Sequence, residues 1–144
     1  MRCVKVLSLA VLAAGFASPA FATQVEIVNA WFRALPAGLP AAGYFTMNNV
    51  GAKDAVLTGA SSPACGTLML HKSMDEGGMG HMVHVKSVSV PVHGTVEFEP
   101  GGYHLMCMKP TPAMTPGKSV TVTLTFADGT KTATDFIVKN ARGQ

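Results

Sequence analysis

Short runs of alternating apolar and polar residues, punctuated by glycine and proline roughly every 8–12 positions, organise this chain. The run Gln24 to Arg33 (QVEIVNAWFR) is β-branched and predicts a strand. Ala34 to Pro40 carries two prolines and a glycine and predicts a loop. Strands follow at Ala42 to Asn48, Ala55 to Gly59, Thr67 to Lys72, His81 to Val90, Thr95 to Glu99, Tyr103 to Lys109, Ser119 to Phe126 and Thr130 to Val138. Between them, Ser73 to Gly80 holds Gly77, Gly78 and Gly80 beside Asp75 and Glu76 and predicts a flexible loop. Thr111 to Gly117 is a proline-rich loop, and Asp128-Gly129 is a hairpin signal. About eight short strands without a convincing helix predict an all-β fold: an antiparallel Greek-key β-sandwich or barrel. Trp31, Phe32, Met47, Met69 and Met108 are expected in its core, and Met114 at the surface or as a loop plug.

The first 22 residues stand apart from this pattern. Arg2 and Lys5 precede an apolar run from Val6 to Phe16, and Ala20-Phe21-Ala22 is a small-x-small cleavage site. The run is too short to span a membrane comfortably. Cys3 lies far from the cleavage site and does not read as a lipid-anchor cysteine. Residues 1–22 are therefore expected to be a cleaved signal peptide and residues 23–144 one exported domain, in the periplasm and without stable membrane insertion. Taking Arg2 and Lys5 from the eleven basic residues leaves nine against eight acidic ones. With no Lys/Arg block, nucleic acid is excluded as a partner. Cys65 and Cys107 are left as a disulfide of an oxidising compartment or as two buried thiols.

The chemistry concentrates between His71 and Met108. All five histidines lie there (His71, His81, His84, His93, His104), with Met74, Met79, Met82, Met106 and Met108 from a total of nine methionines. Imidazoles and thioethers are neutral donors of borderline to soft character, and together they suit copper, above all Cu(I). Strand parity puts His104, Met106 and Met108 on one face, and Leu105 and Cys107 on the other. A hairpin joining the strand that carries His71 to the one that carries Met82 would complete a four-coordinate His2Met2 set: His71, Met82, His104 and Met106. Such a set favours Cu(I) over Cu(II), and over zinc, which takes thiolate, imidazole or carboxylate. His81 and Met79 are candidate auxiliary ligands, His84 shares the face of Met82, and His93 reads as solvated surface.

The spacing H-x10-M-x21-H-x-M formed by His71, Met82, His104 and Met106 resembles the signature of the periplasmic PCuAC-type copper chaperones. So do Ala30-Trp31-Phe32-Arg33, Ala42-Gly43-Tyr44-Phe45 and Pro100-Gly101-Gly102-Tyr103-His104-Leu105-Met106, so that the resemblance covers essentially the whole mature chain. Family members often have Met-x-Met where this chain has Gly80-His81-Met82, and an apolar residue where Cys107 stands. The resemblance implies a cupredoxin-like β-sandwich that binds one Cu(I) and acts as a monomeric metallochaperone. It also implies delivery toward the CuA centre of cytochrome c oxidase, beside a Sco-type partner. The alternative is periplasmic copper storage or resistance, with more than one ion bound. An electron-transfer blue-copper site needs a thiolate beside two histidines, and Cys107 points away from them. Enzymatic chemistry is not expected: the chain has no C-x-x-C and no spacing that marks a Ser/His/Asp set.

Overall fold

The computed structural model describes residues 24–144. The expected signal peptide, its cleavage site and Cys3 lie outside the described residues. Ten strands form: β1 (Val25–Arg33), β2 (Ala41–Asn49), β3 (Ala55–Ser61), β4 (Cys65–Glu76), β5 (Met79–His84), β6 (Val88–Val90), β7 (Thr95–Phe98), β8 (Tyr103–Pro110), β9 (Ser119–Phe126) and β10 (Lys131–Lys139). Among the described residues the helical content is a single 3₁₀ turn at Pro36–Gly38, inside the expected loop. Strand β9 shows how alternation selects its structure. Val120, Val122, Leu124 and Phe126 are buried, while the serine and threonines between them turn to the other face.

The strands form one ladder in the order β5-β4-β8-β7-β2-β1-β10-β9-β3-β6. It folds over to make the two layers of a cupredoxin-like β-sandwich. Most pairings are antiparallel, and β1–β10 and β7–β8 are parallel. Strand β1 links the layers. It pairs with β2 from Val25↔Asn49 onward, is interrupted by a bulge between Val28 and Trp31, and at Trp31–Arg33 also pairs with β10. Asn29 sits in that bulge at φ 55°, a conformation asparagine accepts more readily than most residues. Asn49 donates from Nδ2 to the Val90 carbonyl at 2.9 Å and ties β2 to β6.

The core between the layers is built on aromatic contacts. Phe45 stacks on Phe98 at 4.4 Å, and Phe136 meets Phe32 at 5.2 Å and Phe45 at 5.5 Å. Met47 is fully buried, as expected, and Met114 plugs the core from the proline-rich loop. Gly43 sits against this cluster. A Cβ there would fall 2.7 Å from the Phe32 ring and 3.2 Å from Leu105 Cβ, so only glycine lets β2 approach so closely.

Three expectations need correction. Trp31 is not core. It lies half-buried on the outer face, 4.8 Å from Tyr44, with the Arg33 guanidinium near both rings and Lys139 Nζ 4.9 Å from the indole. Ser73 to Gly80 is not a flexible loop. Strand β4 runs on to Glu76, and β5 starts at Met79. Gly77 and Gly78 take φ of 64° and 81°, the two left-handed positions of a tight type I′ turn. This hairpin extends beyond the core, so its strands lack the apolar alternation that marks the others. Finally, His81 to Val90 is not one strand. The chain leaves the hairpin after His84, and β6 pairs with β3 in the other layer.

Cys65 and Cys107 are joined in a disulfide that links β4 to β8 across 42 positions of sequence. Closing a loop of that size stabilises the fold by about 4 kcal/mol through the unfolded chain. The Cys65→Ala/Cys107→Ala double variant should lose roughly that much in urea unfolding, and a loss below about 1 kcal/mol would contradict it. Gly43→Ala should cost about 1–3 kcal/mol in the same assay by overpacking Phe32.

Candidate metal centre

Three neighbouring strands build the site on the outer face of the sheet. In the β4–β8 pairing His71 stands opposite His104, and in the β4–β5 pairing it stands opposite His84. Directly paired residues project to the same side, so three imidazoles line up as His84, His71, His104. Their ring centroids are 6.0 Å and 5.8 Å apart, and the rings meet edge to face.

Methionines stand on either side of this row. Met106 pairs with Met69, two residues from the His71–His104 pair and on the same face. Met69 was expected in the core and is instead half-buried beside Met106, because β4 turns Leu68 and Leu70 inward. Met82 pairs with Ser73, on the other side of the row. Met82 and Met106 are each diagonal to His71, at about 7–8 Å by strand geometry. They are four positions apart along the strand direction, or roughly 13 Å. Met106 follows His104 by two residues on β8 and shares the face of the His71–His104 pair, whereas Met82, 57% exposed, stands at the rim on the edge strand.

Two of the rings, His104 and His71, are held by their surroundings. His104 is 4% exposed. Its Nδ1 lies 3.2 Å from the Gly102 carbonyl, an acceptor, so Nδ1 carries the proton and donates it. Nε2 is then the lone-pair nitrogen, and it is buried with no hydrogen-bond partner. The Gly102 carbonyl also accepts from the Ser73 N–H at 3.0 Å, so one oxygen ties β4 to the His104 ring. Nδ1 of His71 is likewise buried and unpartnered. Burial pushes the His71 pKa below its ordinary value of 6.5, and the His104 and His84 rings push it the same way. A buried nitrogen without a hydrogen bond is costly, and a metal bond would satisfy it.

The auxiliary candidates divide by parity. His84 and Met108 are on the face of His71, so Met108, expected in the core, is instead half-buried on the outer face, where β8 turns Leu105 and Cys107 inward. Met74, Met79 and His81 pair within the hairpin at odd offsets (Met74↔His81, Glu76↔Met79) and so face the other way. His93 is an exposed turn residue at φ 57°. Among the described residues, no three His, Cys, Asp or Glu side chains converge on one point, because the imidazoles form a line. From the sequence, His84 is placed only on the face of Met82. Its signal was the even spacing from Met82, but the register that sets it against His71 depends on where the hairpin turns.

The chain resembles known proteins along most of its length. The profile of a family described as "putative lipoprotein LpqE-like" matches residues 25–138. A "putative lipoprotein Lxx21020" of Leifsonia xyli subsp. xyli is 32% identical over 123 residues, covering 85% of this chain and 74% of that protein. The solution structure of the Cu(I) form of DR1885 from Deinococcus radiodurans superposes with a TM-score of 0.62 at 30% identity, covering 76% of this chain and 74% of that one. The copper-bound PCuAC domain of PmoF2 superposes with a TM-score of 0.68 at 20% identity, covering 82% and 94%, and so shares the fold. On the extent of the profile match and of these superpositions, the chain belongs to the LpqE-like family and has the fold of the PCuAC copper-chaperone domains.

Proposed function

We propose that this domain is a copper-binding metallochaperone that holds one Cu(I) through His71, Met82, His104 and Met106 and passes it on without catalysing a reaction. The observation that carries this reading is the pair of buried, unpartnered imidazole nitrogens, His104 Nε2 and His71 Nδ1, beside the Met106 thioether on one face. Two neutral imidazoles and two thioethers leave the ion its single positive charge and match the softness of Cu(I). The Deinococcus protein at 30% identity, whose structure is of its Cu(I) form, supports the same cargo. In this reading His71, His104 and Met106 supply three donors from β4 and β8, and the exposed Met82 closes the set. An exposed fourth ligand also gives a recipient's donor a place to enter, so copper leaves by ligand exchange rather than through a free-ion step.

We place the protein, after loss of residues 1–22, in the periplasm as a monomer. The leader-like sequence, the Cys65–Cys107 disulfide and relatives named as lipoproteins support export. Delivery toward the CuA centre of cytochrome c oxidase, with a Sco-type partner, follows from the resemblance to the PCuAC chaperones. A second reading, storage of more than one ion, draws on Met74, Met79 and His81, which share the opposite face of the hairpin. One Cu(I) per chain is expected, and a higher stoichiometry would favour storage.

His104→Ala should lower Cu(I) affinity by about 100-fold or more in competition with a chromophoric chelator, since even supporting groups around a metal are worth 10–100-fold. Met82→Ala should lower it less than Met106→Ala. Affinity unchanged in His104→Ala would remove the site assignment. The pH dependence follows from the lowered His71 pKa. The folded state favours the neutral ring, so protons displace copper from it only below its ordinary 6.5. Cu(I) affinity should vary little with His71 protonation from pH 8 to 6.5 and then fall by roughly tenfold per pH unit for each histidine that titrates. A steep decline beginning near pH 8 would contradict the assignment of His71.

A further inference from the structure

His84 is unused in the Cu(I) set, yet it is the residue directly opposite His71, and Met82 is not. We propose that His84 gives the pocket a second mode of binding, in which His71, His84 and His104 supply three nitrogens to Cu(II) and His84 takes the place of Met82. This rests on the reading that the pocket binds copper and extends it to the oxidised ion.

The geometry supports an exchange between those two donors. Met82 and His84 are two residues apart on the same face of β5, so both overhang the His71 row. Both are exposed, and either side chain is free to rotate inward. The other two rings are held by their surroundings. His104 is buried with Nδ1 committed to Gly102, and its Nε2 is open; His71 Nδ1 is open as well. Two imidazoles on one ion, with metal–nitrogen bonds of about 2 Å, hold their centroids roughly 4.5 Å apart at a right angle and about 6 Å apart when opposite. His71 already stands 5.8 Å from His104 and 6.0 Å from His84. The row needs the outermost ring, His84, to swing toward the middle, and that is the exposed ring.

Ligand chemistry assigns the two modes. Cu(I) is soft and accepts thioethers readily. Cu(II) prefers nitrogen and oxygen in a tetragonal arrangement, with water able to fill the remaining position. One thioether replaced by one imidazole moves the donor set from two nitrogens and two sulfurs to three nitrogens and one sulfur, that of Met106. The sandwich itself need not rearrange, because β5 is the edge strand of the ladder.

The test compares wild type, His84→Ala and Met82→Leu, each loaded separately with Cu(II) and with Cu(I), after circular dichroism shows that all three are folded. Pulsed electron paramagnetic resonance of the Cu(II) forms counts the coupled imidazole nitrogens. Chelator competition gives both affinities. Wild type should show three coupled imidazoles. His84→Ala should show two, with Cu(II) affinity lowered at least tenfold and Cu(I) affinity changed less than threefold. Met82→Leu should show the reverse preference. Identical Cu(II) spectra and affinities in wild type and His84→Ala would overturn the proposal, as would equal losses of both ions or no Cu(II) binding by wild type. In each of those cases tight Cu(I) binding by wild type would leave the proposed chaperone role standing. Failure of wild type to bind Cu(I) would instead remove that role.

Discussion

The pairing of β4 with β8 is the constraint on which the rest depends. One register, from Cys65↔Pro110 to Lys72↔Tyr103, sets His71 against His104 and Met69 against Met106 on the outer face. The same register turns Leu68, Leu70, Leu105 and Cys107 into the core. A slip of one residue would send the imidazoles inward and the leucines out. Two features outside the ladder hold it in place. At one end the Cys65–Cys107 disulfide joins the strands covalently. At the other, the Gly102 carbonyl accepts from both Ser73 N–H and His104 Nδ1, so the turn before β8 orients the ring and anchors β4 together.

On the proposed copper-binding reading, this arrangement separates the tasks of holding and releasing an ion. On the β8 side His104 is buried and fixed by a hydrogen bond, and Met106 is half-buried. Donors on the β5 side stand on an edge strand of a hairpin that projects beyond the core. A uniformly buried site would bind firmly and exchange slowly, and a uniformly exposed one would lose its ion to competitors. The gradient of burial across three strands gives one fixed wall and one movable wall, as suits a cargo that is to be handed over. The lowered proton affinity of His71 works in the same direction, since a neutral ring keeps its lone pair free for metal.

Much of this was legible in the chain. Strands β2, β8 and β9 were readable to within a residue or two because each buries one face against the core, which forces apolar residues to every second position. The parity of Tyr103 to Lys109 separated His104 and Met106 from Cys107, and the structure keeps that division. A hairpin between the strands of His71 and Met82 is expected from the sequence, but its extent was not legible, because beyond His71 its residues do not pack on the core and no apolar rhythm marks where it turns. Trp31 was misplaced for a related reason. Arg33 and Lys139 cover the indole on the outer face, and a covered aromatic surface has the same sequence appearance as a buried one.

By itself, the sequence determined the all-β class and the soft, neutral donor inventory, since these depend on residue type and on spacing within single strands. Local periodicity carries such information without reference to distant partners. Tertiary structure alone decided that Cys65 meets Cys107, that three histidines share one row, and that Met82 stands at the rim while His84 faces His71. Those outcomes depend on the register between strands, which is set by where a two-glycine turn falls and by which leucines reach the core. No single segment contains that information, because it arises when separate segments compete to bury the same apolar surface.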